Sequence, residues 1–441
     1  MRISFFGACR EVTGSNILVE GAGIKILLEC GIFQGVKMAE ERNYAPFPFD
    51  ASSINAVVIC HAHLDHVGRL PKLYKDGFRG RAWSTAPTKE LTRLVLDDTE
   101  KLMNEEAKRF GEEDVAGFME LFETLDYHER VEIYPGIYLN FLNSGHILGS
   151  CVCTLEIEGK VIAYTSDLGN NPSVLLAPPE NITRADIVIC ESTYGGRVHE
   201  DVNKRHEKLA GAIAGTTQNR GVLLIPSFAI ERTQELLHDI DDFCTITGCE
   251  KFNIYLDAPL AVKVTEVFKK YKEYLNMAIN SEYADGDLFG LGRVNVTQSV
   301  EESKAIENAP NPKIIIAGSG MMNGGRILHH ALKYLGDERN ALLFVGYQAN
   351  GTLGRRLFNG EERVKIFGKN IEVRAQIKSI GSYSAHADMP QLTSWISKVE
   401  GAKHIFLVHG ESEQALALSR ELKSKLNIET HLPQQGEGYN F

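Results

Sequence analysis

His61-Ala62-His63-Leu64-Asp65-His66 places three imidazoles and a carboxylate within six residues. Neutral imidazole nitrogen and carboxylate oxygen are the donors that a borderline divalent cation such as zinc prefers. Ligands at i, i+2, i+4 and i+5 cannot share one face of a helix of about 3.6 residues per turn, so the segment is expected to be a loop folded around its contents. The preceding run, Ala56-Val57-Val58-Ile59-Cys60, is apolar and of strand type, and Val67-Gly68-Arg69-Leu70-Pro71-Lys72-Leu73 returns to helical spacing. The cluster therefore falls at the carboxyl end of a strand, where open α/β sheets keep their ligands. A single histidine there would read as a hydrogen-bonded core residue or part of a polar surface loop; this grouping reads as a metal site.

The 441 residues exceed one ordinary hydrophobic core and suggest two or three domains. Hydrophobic and charged contents of 43% and 24% are those of a soluble globular protein, and no run of about 18 apolar residues offers a membrane span. The start, Met1-Arg2-Ile3-Ser4-Phe5-Phe6-Gly7, enters strand-like sequence without a leader pattern, so a cytoplasmic protein with no membrane partner is expected. The eight cysteines (9, 30, 60, 151, 153, 190, 244, 249) form no CxxC pair, and several lie in apolar runs such as Ile187-Val188-Ile189-Cys190. Those read as small buried hydrophobes in a reducing compartment. A net charge of −11 argues against a non-specific duplex DNA coat, so any polyanion must be captured by a local groove.

Short β-branched runs dominate residues 1 to about 190: Ile24–Leu28, Ala56–Cys60, Val131–Leu139, Cys151–Ile157, Lys160–Thr165 and Ile187–Cys190. A polar, helix-favouring block from Thr88 to about Leu125 interrupts them. After Tyr194-Gly195-Gly196 strands and helices alternate. Strand runs at 221–226, 253–256 and 313–317 precede helices expected from about Ala229, Pro259 and Gly325, and 341–345 follows, which predicts a mostly parallel sheet covered on both faces. From about Arg363 short strands return (364–367, 371–377, 404–408) and a helix near 413–426 ends the chain. The middle domain thus reads as an insertion, with parts at 1–198, 199–360 and 361–441.

Two adjacent cations need more donors than one loop supplies. His146 in Ser144-Gly145-His146, Asp167 in Ser166-Asp167-Leu168-Gly169 and His409 in Val408-His409-Gly410 each follow an apolar strand and adjoin glycine, where backbone can approach a ligand closely. Any one alone would read equally well as a structural residue; together they do not look like independent accidents.

His61-x-His63-x-Asp65-His66 followed by His146, Asp167 and His409 resembles the metallo-β-lactamase superfamily. Glu191-Ser192-Thr193-Tyr194-Gly195, Ser384-Ala385-His386-Ala387-Asp388 and Val408-His409-Gly410-Glu411 resemble the three further motifs of its β-CASP group of RNA- and DNA-processing nucleases. The match runs essentially end to end, including Pro226-Ser227-Phe228-Ala229, Gly318-Ser319-Gly320-Met321-Met322 and Gly346-Tyr347-Gln348. The chain resembles the short prokaryotic homologues of the endonuclease subunit that cuts eukaryotic pre-mRNA at its 3′ end and, more distantly, ribonuclease J.

The resemblance implies an α/β fold: a metallo-β-lactamase αββα sandwich with an inserted α/β β-CASP domain. It implies two zinc ions, one held by His61, His63 and His146, the other by Asp65, His66 and His409, with Asp167 bridging both. It implies hydrolysis of phosphodiester bonds in single-stranded RNA by metal-activated water, with His386 protonating the leaving oxygen, Glu191 orienting or charging His386, and Asp65 as the acceptor of the water's proton. Self-association as a homodimer would follow family habit, although no segment of the sequence marks it. Two positions depart from the family pattern: Glu29 stands where Asp is usual, and Cys60 where Thr is common. Glu29 is expected to support the metal loop without binding metal. In the inserted region, Ser319, Gly320 and Arg326 flank a Gly-rich strand-to-helix turn suited to a backbone phosphate. Ser227, Arg232, Tyr347 and Gln348 are further candidate RNA contacts.

A metallo-hydrolase of a small ester or thioester is the competing enzyme class; the insertion and the Glu191/His386 pair speak against it. A flavin-linked di-iron oxidoreductase would carry an acid at the place of His63. A non-catalytic RNA-binding scaffold has no reason to keep so many desolvated polar groups together. RNA and DNA differ at the 2′-OH, which motif spacing does not reveal.

Overall fold

The structure, a computed structural model, describes residues 1–35, 37–103, 109–248, 252–282 and 287–441. It comprises two compact units, Met1–Val198 with His386–Phe441, and His199–Ala385.

The first unit is built on two seven-stranded sheets. One runs in the order Gly438–Asn440, Arg2–Gly7, Asn16–Gly21, Ile24–Leu28, Ala56–Val58, Arg81–Ser84, Phe122–Thr124. The other runs Thr430–His431, His404–Val408, Ile187–Glu191, Lys160–Tyr164, Cys151–Ile157, Ile137–Asn143, Arg130–Tyr134. Successive strand residues point to opposite faces. Ile17, Val19, Ile26, Leu28, Ala56 and Val58 therefore meet Leu139, Phe141, Leu155, Ile162, Ile189 and Phe406 in one core between the sheets. On the far side of the second sheet, Val188, Cys190, Ile405 and Leu407 pack against Leu392, Trp395 and Ile396 of helix Met389–Ser397 and Leu418 and Leu422 of helix Ser412–Leu426. On the far side of the first, Leu18, Leu27 and Val57 are also buried, and helices Leu70–Lys75, Ala86–Leu102 and Glu112–Met119 bury Leu73, Leu91 and Phe118. This is the expected αββα sandwich.

Strand direction gathers the loops that matter. Ile187–Glu191 is parallel to both Lys160–Tyr164 and His404–Val408. Ile137–Asn143 shares their direction because it and Lys160–Tyr164 are both antiparallel to Cys151–Ile157. The loops after all four strands consequently leave the sheet at one edge.

The second unit carries a six-stranded sheet in the order Asn295–Val296, Asn253–Asp257, Lys313–Ala317, Val222–Pro226, Ala341–Phe344, Gln376–Ser379, with every pair parallel. Lys313–Ala317, Val222–Pro226 and Ala341–Phe344 in its middle are mainly apolar and buried throughout, as strands covered on both faces require. Helix Arg232–Thr247 starts three residues later than the sequence suggests, and helix Ile327–Tyr334 two residues later.

Three further readings need correction. The return from the insertion falls at His386, not at residue 361: Gln376–Ser379 hydrogen-bonds to Ala341–Phe344 as an edge strand, and Arg363–Ile366 pairs with Lys369–Glu372 inside the same unit. Short strands carry no label of the sheet they join, so composition alone misplaces them. The metal hexapeptide is only half a loop, since Leu64–Val67 closes one helical turn behind His63. The Val131–Leu139 run is a hairpin, Arg130–Tyr134 and Ile137–Asn143, turned at Pro135-Gly136. In the helical block, 104–108 lie outside the described residues. Six cysteines are free and buried, whereas Cys244 is disulfide-bonded and Cys249 lies outside the described residues.

Ile189 sits at 0% exposure in the central strand of the second sheet. Ile189→Ala is expected to lower unfolding stability by about 2–5 kcal/mol, measured by urea denaturation.

Candidate metal centre

The sequence-predicted ligands converge in the first unit. Four overlapping groups hold donor atoms within 4.8 Å of one another: His61, His63, His146 and Asp167; Asp65, His66 and His409; Glu29, His61 and His66; and Asp167, Glu191 and His386. Two glycines make the approach workable. A Cβ on Gly31 would lie 1.5 Å from the Asp65 carbonyl oxygen, and one on Gly169 would lie 2.0 Å from the Gly145 carbonyl oxygen. The loop bearing Asp65 therefore touches the segment that follows Glu29, and the loops bearing His146 and Asp167 touch each other, backbone to backbone.

Asp167 divides its carboxylate between two sets. Oδ2 lies 3.3 Å from His61 Nε2 and 3.4 Å from His146 Nε2, while Oδ1 lies 3.4 Å from His66 Nε2 and 3.6 Å from His409 Nε2. His63 Nδ1 is 3.1 Å from His146 Nε2, His66 Nε2 is 3.0 Å from His409 Nε2, and Asp65 Oδ2 is 3.4 Å from His409 Nε2. Donors about 2.0–2.1 Å from one tetrahedral cation stand about 3.3 Å apart, so these spacings fit a metal. The electrostatics fit as well. Burial holds His61 and His66 well below the usual imidazole range, in the neutral form a ligand needs, and burial pushes the Asp167 carboxyl up to about 7. Burial also opposes charge on His409, but Asp167 and Asp65 overcome it and raise its pKa to about 10. A divalent cation bound at that point would take the place of the proton those carboxylates draw in.

Hydroxyl groups decide which imidazole nitrogen faces inward. Ser166 Oγ donates its one proton to Glu29 Oε1 at 3.0 Å, so it accepts from His61 Nδ1 at 3.1 Å and leaves Nε2 bare toward Asp167. Thr193 Oγ1 donates to the His409 carbonyl at 2.9 Å and accepts from Nδ1 of the same residue at 3.0 Å, again leaving Nε2 for the centre. Glu29 Oε1 also accepts the Cys60 amide at 3.0 Å, and lies 3.5 Å from His66 Nδ1. Sequence reading anticipates Glu29 but misses Ser166 and Thr193. Each adjoins a residue it did single out, and adjacency to a ligand or motif carboxylate is the only signal the sequence carries.

His386 stands at the rim of this cluster, its side chain 15% exposed and its Nδ1 3.1 Å from Glu191 Oε1. Glu191 is fully buried and accepts the amides of Leu168 at 2.8 Å and Thr193 at 3.2 Å. The Ala387 amide bonds to the Leu168 carbonyl at 2.8 Å, which ties the His386 backbone to the Asp167 loop. Burial works against the His386 charge, yet Glu191 more than offsets it and raises its pKa.

The candidate RNA contacts lie in the second unit, where several are engaged with their own surroundings. Arg232 is buried and ion-paired to Glu235. Arg326 donates to Asp257 Oδ1 at 2.6 Å and to the Gln298 carbonyl at 2.8 Å. Ser227 is buried and accepts from Thr233 Oγ1 at 2.9 Å, and Gln348 is buried with its amide on the Gly320 carbonyl at 2.9 Å. Ser319 Oγ accepts the Asn323 amide at 3.1 Å, closing the Gly-rich turn, and Tyr347 is half-buried. The two arginines already have carboxylate partners, which reduces the charge they offer a phosphate.

Three family models match in chain order: a Metallo-beta-lactamase superfamily domain at residues 18–177, a Beta-Casp domain at 233–357 and a Zn-dependent metallo-hydrolase RNA specificity domain at 370–433. The chain is 39% identical over 439 residues to Ribonuclease TTHA0252 of Thermus thermophilus, covering 99% of both chains. It is 34% identical over 438 residues to an RNase J-like protein of Methanocaldococcus jannaschii, covering 98% of each. It is also 31% identical over 450 residues to the transcription termination factor FttA of that organism, covering 98% of this chain and 70% of the factor. A crystal structure of a protein of unknown function from Enterococcus faecalis shares the fold, with a TM-score of 0.58, 11% identity and 99% coverage of both chains. The chain belongs to the β-CASP ribonucleases of the metallo-β-lactamase superfamily. It is a metal-dependent hydrolase, and no helix among the described residues is long and apolar enough to cross a membrane.

Ser166→Ala and Thr193→Val are each expected to weaken metal binding about 10- to 100-fold, read by competition with a chromophoric chelator. The hydroxyl-retaining Ser166→Thr and Thr193→Ser should recover most of it. Unchanged affinity in Ser166→Ala and Thr193→Val would mean that the hydroxyls do not orient the ligands.

Proposed function

We propose that this protein is a zinc-dependent ribonuclease that hydrolyses phosphodiester bonds of single-stranded RNA and acts in the cytoplasm. His61, His63 and His146 would hold one zinc ion and Asp65, His66 and His409 a second, with Asp167 serving both sets. The observation that carries the reading is the split of the Asp167 carboxylate between two donor sets, with the Glu191–His386 pair 3.1 Å apart beside it. When bound, the ions polarise phosphoryl oxygens and bring the pKa of bound water to about 7.

The remaining steps fall to side chains of this chain. Asp65 is the ligand carboxylate with the most open side chain, 18% exposed against 2% for Asp167, so it accepts the proton that the attacking water loses. His386 carries a proton on the ring edge away from Nδ1 and delivers it to the leaving oxygen as the P–O bond breaks. Glu191 keeps that imidazole oriented and favours its charged form until the transfer. The hydroxyls of Ser166 and Thr193 hold His61 and His409 in the tautomers described above. A small ester would need neither the separate His386 acid nor the second unit.

The test is cleavage of end-labelled single-stranded RNA by zinc-loaded protein, run beside matched DNA. His386→Ala is expected to keep normal zinc content and lose about 100- to 10,000-fold in rate. A variant that cuts at the wild-type rate would remove the acid from the scheme. His409→Ala should retain one zinc per chain by elemental analysis; two retained ions would refute the assignment of its ligand set. Chelation should abolish cleavage, and zinc should restore it.

A further inference from the structure

Beside the metal loop, the first unit presents an aromatic and basic strip that the catalytic scheme leaves unused. Phe47 and Phe49 flank Pro48 and stack at 5.3 Å between ring centroids with 24° between planes, and Phe6 meets Phe49 at 5.5 Å. All three rings are half-buried and so keep part of their surface open. Arg42 lies over the Phe33 ring at 3.8 Å and Lys72 over Phe47 at 4.5 Å. Arg69 sits between the two, with Cζ 4.8 Å from the centroid of Phe33 and 5.2 Å from that of Phe47.

Arg69 differs from its neighbours in its ion pairing. Arg42 has Glu11 at 2.5 Å and Lys72 has Asp76 at 2.5 Å. Arg69 is 6% exposed, and among the described residues its only side-chain hydrogen bond is from Nε to the Gly31 carbonyl at 2.6 Å. No carboxylate among the described residues pairs with it, and the nearby Cys30 thiol is kept neutral by burial, its pKa pushed up to about 12. Its two terminal nitrogens have no acceptor among the described residues, yet they are not among the sealed polar atoms, so they reach solvent. A buried cation without a counter-charge is costly, and two ring faces offset only part of that cost. Structural zipping of the loop needs Nε alone. The planar fork that remains matches a phosphate.

The strip is rigid and continuous with the metal centre. Arg69 lies three residues beyond His66, its amide bonds to the Cys30 carbonyl at 2.9 Å, and the Ile32 amide bonds to the Leu64 carbonyl at 3.0 Å. Asn43 clamps Phe33 with two bonds of 2.8 Å, to its amide and from its own side-chain nitrogen to the Phe33 carbonyl. We propose that this strip is a nucleotide subsite for the single-stranded substrate, in which the Arg69 fork takes a backbone phosphate and the Phe47–Phe49 pair stacks a base. The inference rests on the ribonuclease reading and adds where the strand is gripped outside the metal centre.

The test uses the zinc-loaded full chain and a fluorescent single-stranded RNA with phosphorothioate linkages, with binding followed by anisotropy across a salt series and cleavage of ordinary RNA followed on gels. Arg69→Gln should weaken binding about tenfold and reduce the slope of log affinity against log salt by about 0.7, the value of one phosphate contact on a single strand. Phe47→Leu should weaken binding about 5- to 100-fold with an unchanged slope, because stacking carries no counterion. Arg69→Lys should keep the slope while losing the bidentate fork. Should Arg69→Gln disturb the loop, as judged by zinc content, Phe47→Leu and Arg69→Lys still decide the matter. Wild-type affinity and slope in Arg69→Gln and Phe47→Leu, together with normal wild-type cleavage, would overturn the subsite alone. A wild-type protein that neither binds nor cuts RNA would overturn the ribonuclease reading and the subsite with it.

Discussion

One carboxylate governs the geometry of the first unit. Asp167 is 2% exposed, its two oxygens point to different imidazole sets, and burial alone would drive it toward the neutral acid. Six imidazoles and three other carboxyl groups surround or adjoin it. Such a concentration of desolvated donors is tolerable only where opposite charge and hydrogen bonds are supplied together. The sheet edge makes this possible by delivering the loops after four co-directional strands to a single place, while the first sheet contributes the Ala56–Val58 strand and the histidine loop that follows it.

The backbone bears part of the burden. Glu29, Ser166 and His409 all adopt left-handed conformations, with φ of 60°, 48° and 49°. Non-glycine residues rarely do so unless the surroundings over-determine them, and such residues gather where side chains must be aimed. Here each sits just past the end of a strand and turns a carboxyl, a hydroxyl or an imidazole toward the same cluster. Glu29 stands where the resemblance drawn from the sequence implies aspartate. Its longer arm spans the Cys60 amide and the Ser166 hydroxyl from one oxygen, so the support reaches His61 through Ser166 and faces His66 directly.

Much of this was legible in the chain because chemistry-bearing residues fell beside punctuation. His146, Asp167 and His409 follow apolar strands and adjoin glycine, and the histidine-rich hexapeptide identifies itself. The insertion was visible as a change from short turns to alternating strands and helices. Its far boundary was not. Gln376–Ser379 is amphipathic and brief, and whether it pairs with Ala341–Phe344 or joins the sandwich depends on long-range register that no local pattern records. Ser166 and Thr193 were missed for a related reason. A hydroxyl becomes significant only when its acceptor is known, and the acceptors, Glu29 for one and the His409 carbonyl for the other, lie 137 and 216 residues away. Arg326 shows the same blindness to distant partners. A basic residue beside glycines suggests a phosphate site, and the buried Asp257 that pairs with it is invisible at a distance of 69 residues.

The interrupted first unit has a consequence for biosynthesis. Ile187–Glu191 finds its neighbour His404–Val408 only after the whole of His199–Ala385 has been made, and His386 and His409 emerge later still. During translation the chain therefore holds the early histidines without His386 and His409, and the edge of its second sheet at Ile187–Glu191 stays unpaired until His404–Val408 docks. Topology thus delays the gathering of the donor groups around Asp167 until the inserted unit has been synthesised.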